Sequence, residues 1–256
     1  MFTKAIVRLP SANFGTGLTS VDMGPPDHGL ALEQHKTYCA ALERCGLTLT
    51  RLEADPHYPD STFVEDTAIL TERCAIVTRP GAPSRAGEVE VINEVLGLFY
   101  SSILNIQQPG TLDGGDVCQA GDHFFIGVSA RTNESGAQQL NDRLALFDYT
   151  SSFVDIRDMD GILHLKSGLA YLGDNRLVVV DALATREEFR SYDLVRVHVG
   201  DEYAANCVLV NDFVLVAAQH PAIEEKLQSL GYKTIVLDVS EFQKMAGGLS
   251  CLSLRI

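Results

Sequence analysis

Tryptophan is absent from this 256-residue chain, and basic residues are scarce: 20 lysines and arginines stand against 34 aspartates and glutamates. The resulting formal charge of -14 opposes a phosphate backbone or an anionic bilayer surface, which sets nucleic acid and membrane aside as partners. No stretch approaches the roughly 20 apolar residues of a membrane span. The opening MFTKAIVRLPSANFG lacks an apolar block of signal-peptide length, so a soluble cytoplasmic protein is expected. The six cysteines (39, 45, 74, 118, 207 and 251) show neither CxxC nor zinc-ligand pairing and read mostly as core thiols. The histidines form no HExxH, and no GxGxxG opens a helix after the first strand. No cofactor and no metal are expected.

What is present is a repeated grammar. At 67–79, 116–129, 169–181 and 206–218 an apolar run, a short polar turn and a second apolar run follow one another, as in a pair of strands. Helical spacing follows several of these pairs: Val89, Ile92, Leu96 and Phe99; Ala137, Leu140, Leu144 and Phe147; Ile223, Leu227 and Leu230. A similar stripe of Leu32, Cys39 and Leu42 occupies 29–45, in a unit that begins with KAIVRLPS. Each stripe leads to a further strand candidate, at 47–52, 103–108, 153–158 or 234–239. The helix of such a unit hides one face only, so units of about 45 to 50 residues must pack side by side to close a core. About five fit the chain, the fifth sharing both termini, which predicts a single α/β-propeller domain over 1–256. A three-layer open α/β sheet is the alternative, and the paired strands with no nucleotide fingerprint count against it.

Several polar residues interrupt apolar runs or glycine turns. Asp60, Glu65 and Asp66 lie in PDSTFVEDTAIL, where adjacent Glu65 and Asp66 would face opposite sides of an extended chain. They are either functional carboxylates or acceptors for backbone and arginine donors. Asp113 and Asp116 flank two glycines in TLDGGDV, compatible with a site or with an ordinary Asx turn. Arg131 precedes a helical stripe, as an anion anchor or a helix cover. His164 in ILHLKSGLAYL has the titration range for proton transfer, or is a satisfied core histidine. Cys251 in GGLSCLSLRI is a nucleophile candidate beside paired glycines, or a buried thiol.

Together these segments resemble the dimethylarginine dimethylaminohydrolases of the amidinotransferase and deiminase superfamily. The resemblance runs end to end, through YPDSTFVEDTAI, GGDV, GDHFFIGVSARTN, LHLKSGLAYL, YAANC and GGLSC. It implies a five-module α/β-propeller and hydrolysis of asymmetric dimethylarginine or monomethylarginine to citrulline plus dimethylamine or methylamine. It assigns Cys251 as nucleophile, His164 as proton carrier and Asp113 as its acidic support. Some relatives have glutamate in place of Asp113, which leaves open whether this shorter side chain reaches His164. The resemblance further places Asp66 at the guanidinium with Glu65 assisting the catalytic pocket, Arg85 and Arg131 at the α-carboxylate, and Asp60 with the backbone of Leu18 at the α-amine. The loop from Asn13 to Gly29, rich in small residues, is expected from its composition and position to cover the pocket. Many relatives have aspartate at Ala246. Arginine deiminase or amidinotransferase chemistry and an idle methylarginine-binding protein are the rival functions, and a homodimer is compatible with the sequence.

Overall fold

The computed structural model describes residues 1–256 and contains five three-stranded sheets arranged as repeated modules. One sheet joins both chain ends: β1 (Lys4–Arg8) lies between β2 (Thr48–Leu52), to which it is parallel, and the antiparallel C-terminal β15 (Leu254–Arg255). α1 (His28–Arg44) connects β1 to β2. The second module is β3 (Ala68–Leu70), β4 (Ala75–Val77), α2 (Val89–Leu96) and β5 (Ile103–Asn105). The third is β6 (Val117–Ala120), β7 (His123–Val128), α3 (Glu134–Ala145) and β8 (Thr150–Asp155). The fourth has β9 (Leu169–Tyr171), β10 (Arg176–Val180) and β11 (Asp193–Val197); the fifth has β12 (Val208–Val210), β13 (Phe213–Ala217), α4 (Pro221–Ser229) and β14 (Lys233–Leu237), followed by the short α5 (Ser240–Gln243). In every sheet the middle strand pairs antiparallel with one neighbour and parallel with the other. That mixture is the five-module α/β-propeller and excludes the open parallel sheet.

Local chemistry explains the helices. Asp27 caps α1 by accepting from the Leu30 amide, Asn133 caps α3 by accepting from Gly136, and Pro221 opens α4 where no amide donor is needed. Their buried faces include Tyr38, Cys39 and Leu42; Ile92 and Leu96; Leu140 and Leu144; Ile223 and Leu227. Each such aliphatic side chain stabilises the fold by roughly 1.5–3 kcal/mol relative to leaving it in water. Phe99, Phe147 and Leu230 continue the expected stripes but lie just past the helix ends. One module departs from the expected unit: between β10 and β11 there is only a 3₁₀ turn, Glu187–Phe189, anchored by buried Phe189. The strand expected at 153–158 begins three residues earlier, because Thr150–Ser152 pair in parallel with His123–Phe125. The strand expected at 103–108 stops at Asn105.

A second repetition matters more for function. Each module's first strand is entered through a 3₁₀ turn: Val64–Thr67, Gly114–Asp116, Leu165–Ser167, Glu202–Ala205 and Ser250–Leu252. These turns form a ring at the centre of the propeller. Side chains lace neighbouring turns together: Asp66 Oδ1 accepts from the Gly115 amide at 2.8 Å, and Asp116 Oδ1 from the Leu165 amide at 3.0 Å. Asn206 Nδ2 donates to the Lys166 carbonyl at 2.8 Å, its Oδ1 accepts from the Ser250 amide at 2.9 Å, and Ser250 Oγ donates to Glu65 Oε2 at 2.6 Å. The circuit closes on the turn where it began. No helix is long and apolar enough to cross a membrane.

Candidate active site

On one side of this ring lies a cavity of about 30 Å³, lined by Leu18, Asp60, Asp66, Arg85, Arg131, His164 and Cys251. All seven come from loops or 3₁₀ turns, outside the α-helices and strands, which lets residues distant in sequence converge while the sheets hold their ends. Phe63, Leu163, Met245, Ala246 and Gly247 complete the wall. Glu65 and Asp113 do not line it, and their placement is informative.

Glu65 and Asp66 occupy one turn but serve opposite sides of the ring. Asp66 Oδ2 accepts from Arg85 Nη1 at 2.6 Å, while Glu65 Oε1 meets Lys166 Nζ at 2.7 Å and Arg255 Nη2 at 3.2 Å. That triad borders a second cavity of about 690 Å³, also lined by Gly114, Asn206 and Ser250. Burial opposes the Asp66 charge, but His164, Arg85 and the Gly115 amide outweigh it and hold its carboxyl down at about 2.

Asp113 stands behind the histidine. His164 Nε2 and Asp113 Oδ2 are 3.1 Å apart, so aspartate is long enough for this contact, and Asp113 Oδ1 accepts from the Gly81 amide at 2.7 Å. The two glycines of GGD make the approach possible: a Cβ on Gly114 would lie 2.0 Å from the Glu65 carbonyl oxygen, and one on Gly115 would lie 2.7 Å from His164 Nδ1. Burial disfavours a charged imidazole here, but Asp66, the Asp113 hydrogen bond and the Asp116 charge prevail and raise its pKa to about 9. His164 therefore holds a proton at neutral pH.

Cys251 sits on the last 3₁₀ turn, partly exposed, between buried Ser250 and Leu252. Burial, then Glu65 and Asp66, push its thiol up to about 12, against weaker pulls from a backbone hydrogen bond at Gly248 and from Lys166. Without substrate, the site thus pairs a neutral thiol with an imidazolium. Donor atoms of Asp66, Asp113 and His164 fall within 4.8 Å of one another. Asp66 is occupied by Arg85 and Gly115 and Asp113 by His164 and Gly81, which describes a proton-handling cluster better than a cradle for a metal ion.

The two arginines differ. Arg85 is buried and donates to Glu88 through Nε and Nη2 at 2.9 and 2.7 Å, to Asp66, and to the Phe63 carbonyl at 3.1 Å. Arg131 lines the cavity with no acidic partner in salt-bridge range, its loop fixed by an amide bond to Ser129 Oγ at 2.9 Å. Both Asp60 oxygens accept from the Leu18 amide, at 3.0 and 3.1 Å, and Thr19 Oγ1 donates to the Lys244 carbonyl at 2.9 Å, tying the Asn13–Gly29 segment across the cavity. Glu88 escaped sequence reading because it looks like a helix-entry residue; its signal was the three-residue spacing from Arg85. Asn206 and Ser250 lie within YAANC and GGLSC, but those motifs assign them no role, and only the tertiary ring reveals it.

No family model matches the chain. It is 43% identical over 256 residues, the whole of both chains, to the N(G),N(G)-dimethylarginine dimethylaminohydrolase of Pseudomonas aeruginosa. It is 36% identical to that of Streptomyces coelicolor, covering 99% of this chain and 96% of the other. A solved Pseudomonas aeruginosa structure, a cysteine-to-serine mutant complexed with citrulline, superimposes with a TM-score of 0.97 at 44% identity over both full lengths. The N-terminal domain of ArgZ, a cyanobacterial arginine dihydrolase, gives a TM-score of 0.88 at 18% identity over 100% of this chain and 97% of that one, a likeness of fold. Full-length identity of this order, carried on the same five-module frame, makes the chain a member of the dimethylarginine dimethylaminohydrolase family.

Proposed function

We propose that this protein hydrolyses asymmetric dimethylarginine or monomethylarginine to citrulline and the corresponding methylamine through a covalent intermediate on Cys251. The observation that carries the reading is a single cavity joining Cys251, a proton-bearing His164, the Asp66 carboxylate and the acid-free Arg131. Asp66 has one lone pair on each oxygen engaged by Arg85 or Gly115, and the others suit a guanidinium. Arg131 takes the α-carboxylate; Asp60 and the Leu18 backbone take the α-amine. Arg85, already held by Asp66 and Glu88, braces that end and lends its charge. Glu65 acts from behind the nucleophile through Ser250.

The cationic substrate favours the Cys251 thiolate, whose proton leaves to solvent. Sulfur attacks the guanidinium carbon, His164 gives its proton to the departing amine, and the carbon–nitrogen bond breaks to leave a thiouronium on Cys251. Neutral His164 then takes a proton from water, and the resulting hydroxide attacks the same carbon. The adduct's hydroxyl gives up its proton to solvent as the carbon–sulfur bond breaks, releasing citrulline and the Cys251 thiolate. The Asn13–Gly29 segment, tied across the cavity by Leu18 and Thr19, opens for entry and closes for chemistry.

The test is steady-state kcat/KM for asymmetric dimethylarginine, monomethylarginine, symmetric dimethylarginine and arginine, detecting citrulline and amine, with Cys251→Ser as control. Dimethylamine release abolished in the control is expected. Turnover of arginine alone would assign a deiminase, and binding without turnover an idle methylarginine receptor.

A further inference from the structure

Asp116 is fully buried and has no cationic partner in salt-bridge range. Its three hydrogen-bond contacts are all neutral donors, from two segments that converge on the site. Oδ1 accepts from the Leu165 amide at 3.0 Å, one residue after His164. Oδ2 accepts from Thr132 Oγ1 at 2.7 Å and Ser129 Oγ at 2.6 Å. Thr132 Oγ1 in turn accepts from the Asp113 amide at 3.1 Å, while Ser129 Oγ accepts from the amides of Arg131 and Thr132 at 2.9 and 3.0 Å. Both hydroxyls already receive amide donors, so their own protons point to Asp116. Burial pushes the Asp116 carboxyl up to about 6, but the nearby His164 and the donors from Ser129 and Thr132 hold it there, so Asp116 is ionised at neutral pH.

We propose that Asp116 is a positioning residue that fixes His164, Asp113 and Arg131 relative to one another and keeps its negative charge beside the imidazolium. The proposal deepens the function given above and rests on His164 being the proton carrier. The ring of turns supports it independently: Asp66 and Asn206 each accept the amide of the next turn, and Asp116 does the same for the turn that carries His164. Asp116 differs in reaching two catalytic supports through hydroxyls as well.

The groups facing His164 are Asp113 and Asp116 from the GGD turn, Asp66 from Val64–Thr67 and Cys251 from the last turn, with Arg85, Arg131 and Asp60 around the same cavity. Asp116→Asn is nearly isosteric, removes one of these charges and sets an amide donor against existing donors. In the folded variant the His164 imidazole pKa, read by NMR without substrate, is expected to fall by about one unit. With dimethylarginine, kcat is expected to fall at least about tenfold while KM changes less than about threefold. A folded Asp116→Asn protein with the parent imidazole pKa and the parent kcat overturns the proposal. Thr132→Val leaves the charge and removes the hydroxyl between Asp116 and Asp113, so it decides the matter even where Asp116→Asn does not fold. It is expected to lose kcat with little change in KM, and Thr132→Ser to restore it; parent kcat in Thr132→Val, or equal losses in both, contradicts the relay. Because the imidazole titration needs no turnover, failure of the substrate assignment would leave this test standing.

Discussion

Cys251 and His164 are poised against their intrinsic tendencies, the thiol pushed up to about 12 and the imidazole to about 9. Alkylation of Cys251 by a neutral reagent is therefore expected to be slow at neutral pH and to accelerate only in strong alkali, with the midpoint moving down by more than one unit when a nonreactive cationic analogue is bound. An unmoved midpoint would remove substrate-assisted ionisation from the account. Because His164 must carry a proton to the leaving amine, kcat is expected to decline at alkaline pH as the imidazolium loses its proton in the substrate complex. Ala246, which lines the cavity, adopts a left-handed φ of 56° that costs a side-chain-bearing residue about 1–2 kcal/mol. Ala246→Gly is expected to raise the melting temperature, and Ala246→Asp to alter the ratio of kcat/KM among arginine analogues; unchanged ratios would show that this position does not set specificity. The reactive side chains were legible in sequence because their types and flanking motifs are distinctive. Glu88 was not, since at the mouth of a helix it resembles an ordinary surface acid and its pairing with Arg85 depends on both being buried. Asn206 and Ser250 were not, since the hydrogen-bonded ring arises between segments as much as 185 residues apart.

At the scale of elements, glycines govern how closely the turns meet. Gly115→Ala would press a methyl group onto the His164 ring and Asp66, at 2.7 and 2.9 Å, its nearest neighbours. The expected outcome is a loss of kcat of at least about a hundredfold with a melting temperature within a few degrees of the parent; full activity would mean that His164 has freedom the packing denies. The hairpins were legible because two apolar runs around Gly121-Asp122, Gly173-Asp174-Asn175 or Asn211-Asp212 specify a reversal, and several of these residues adopt positive φ. Helix stripes were legible for the same periodic reason. The missing helix between β10 and β11 was not: the stretch TREEFR has helical propensity, yet a 3₁₀ turn anchored by Phe189 suffices to bridge two parallel strands. The shifted start of β8 reflects strand pairing, which the apolar run of that strand alone does not encode.

Across the whole molecule, closure of the ring depends on two residues of β15 adding to β1, where Ile6 faces Leu254. Both side chains are buried, and Arg255 also reaches Glu65 behind the nucleophile. Deleting Leu254–Ile256 is expected to destabilise the protein by several kcal/mol, about 2 kcal/mol of it from Leu254 alone, and to abolish activity through Glu65 and Ser250. The melt should be one cooperative transition if residues 1–256 form one domain, as the shared terminal module suggests; two separated transitions would contradict that. The sharing of both chain ends was predictable from the sequence because four units left KAIVRLPS and the terminal apolar run without partners. The central claim, that a ring of turns delivers Cys251 to a guanidinium carbon, is tested most directly by intact-protein mass spectrometry after acid quench during turnover of asymmetric dimethylarginine. The account predicts an added mass equal to substrate minus dimethylamine, localised to Cys251 and absent from Cys251→Ser. Citrulline formation with no adduct under single-turnover sampling, or undiminished turnover by the serine variant, would contradict it.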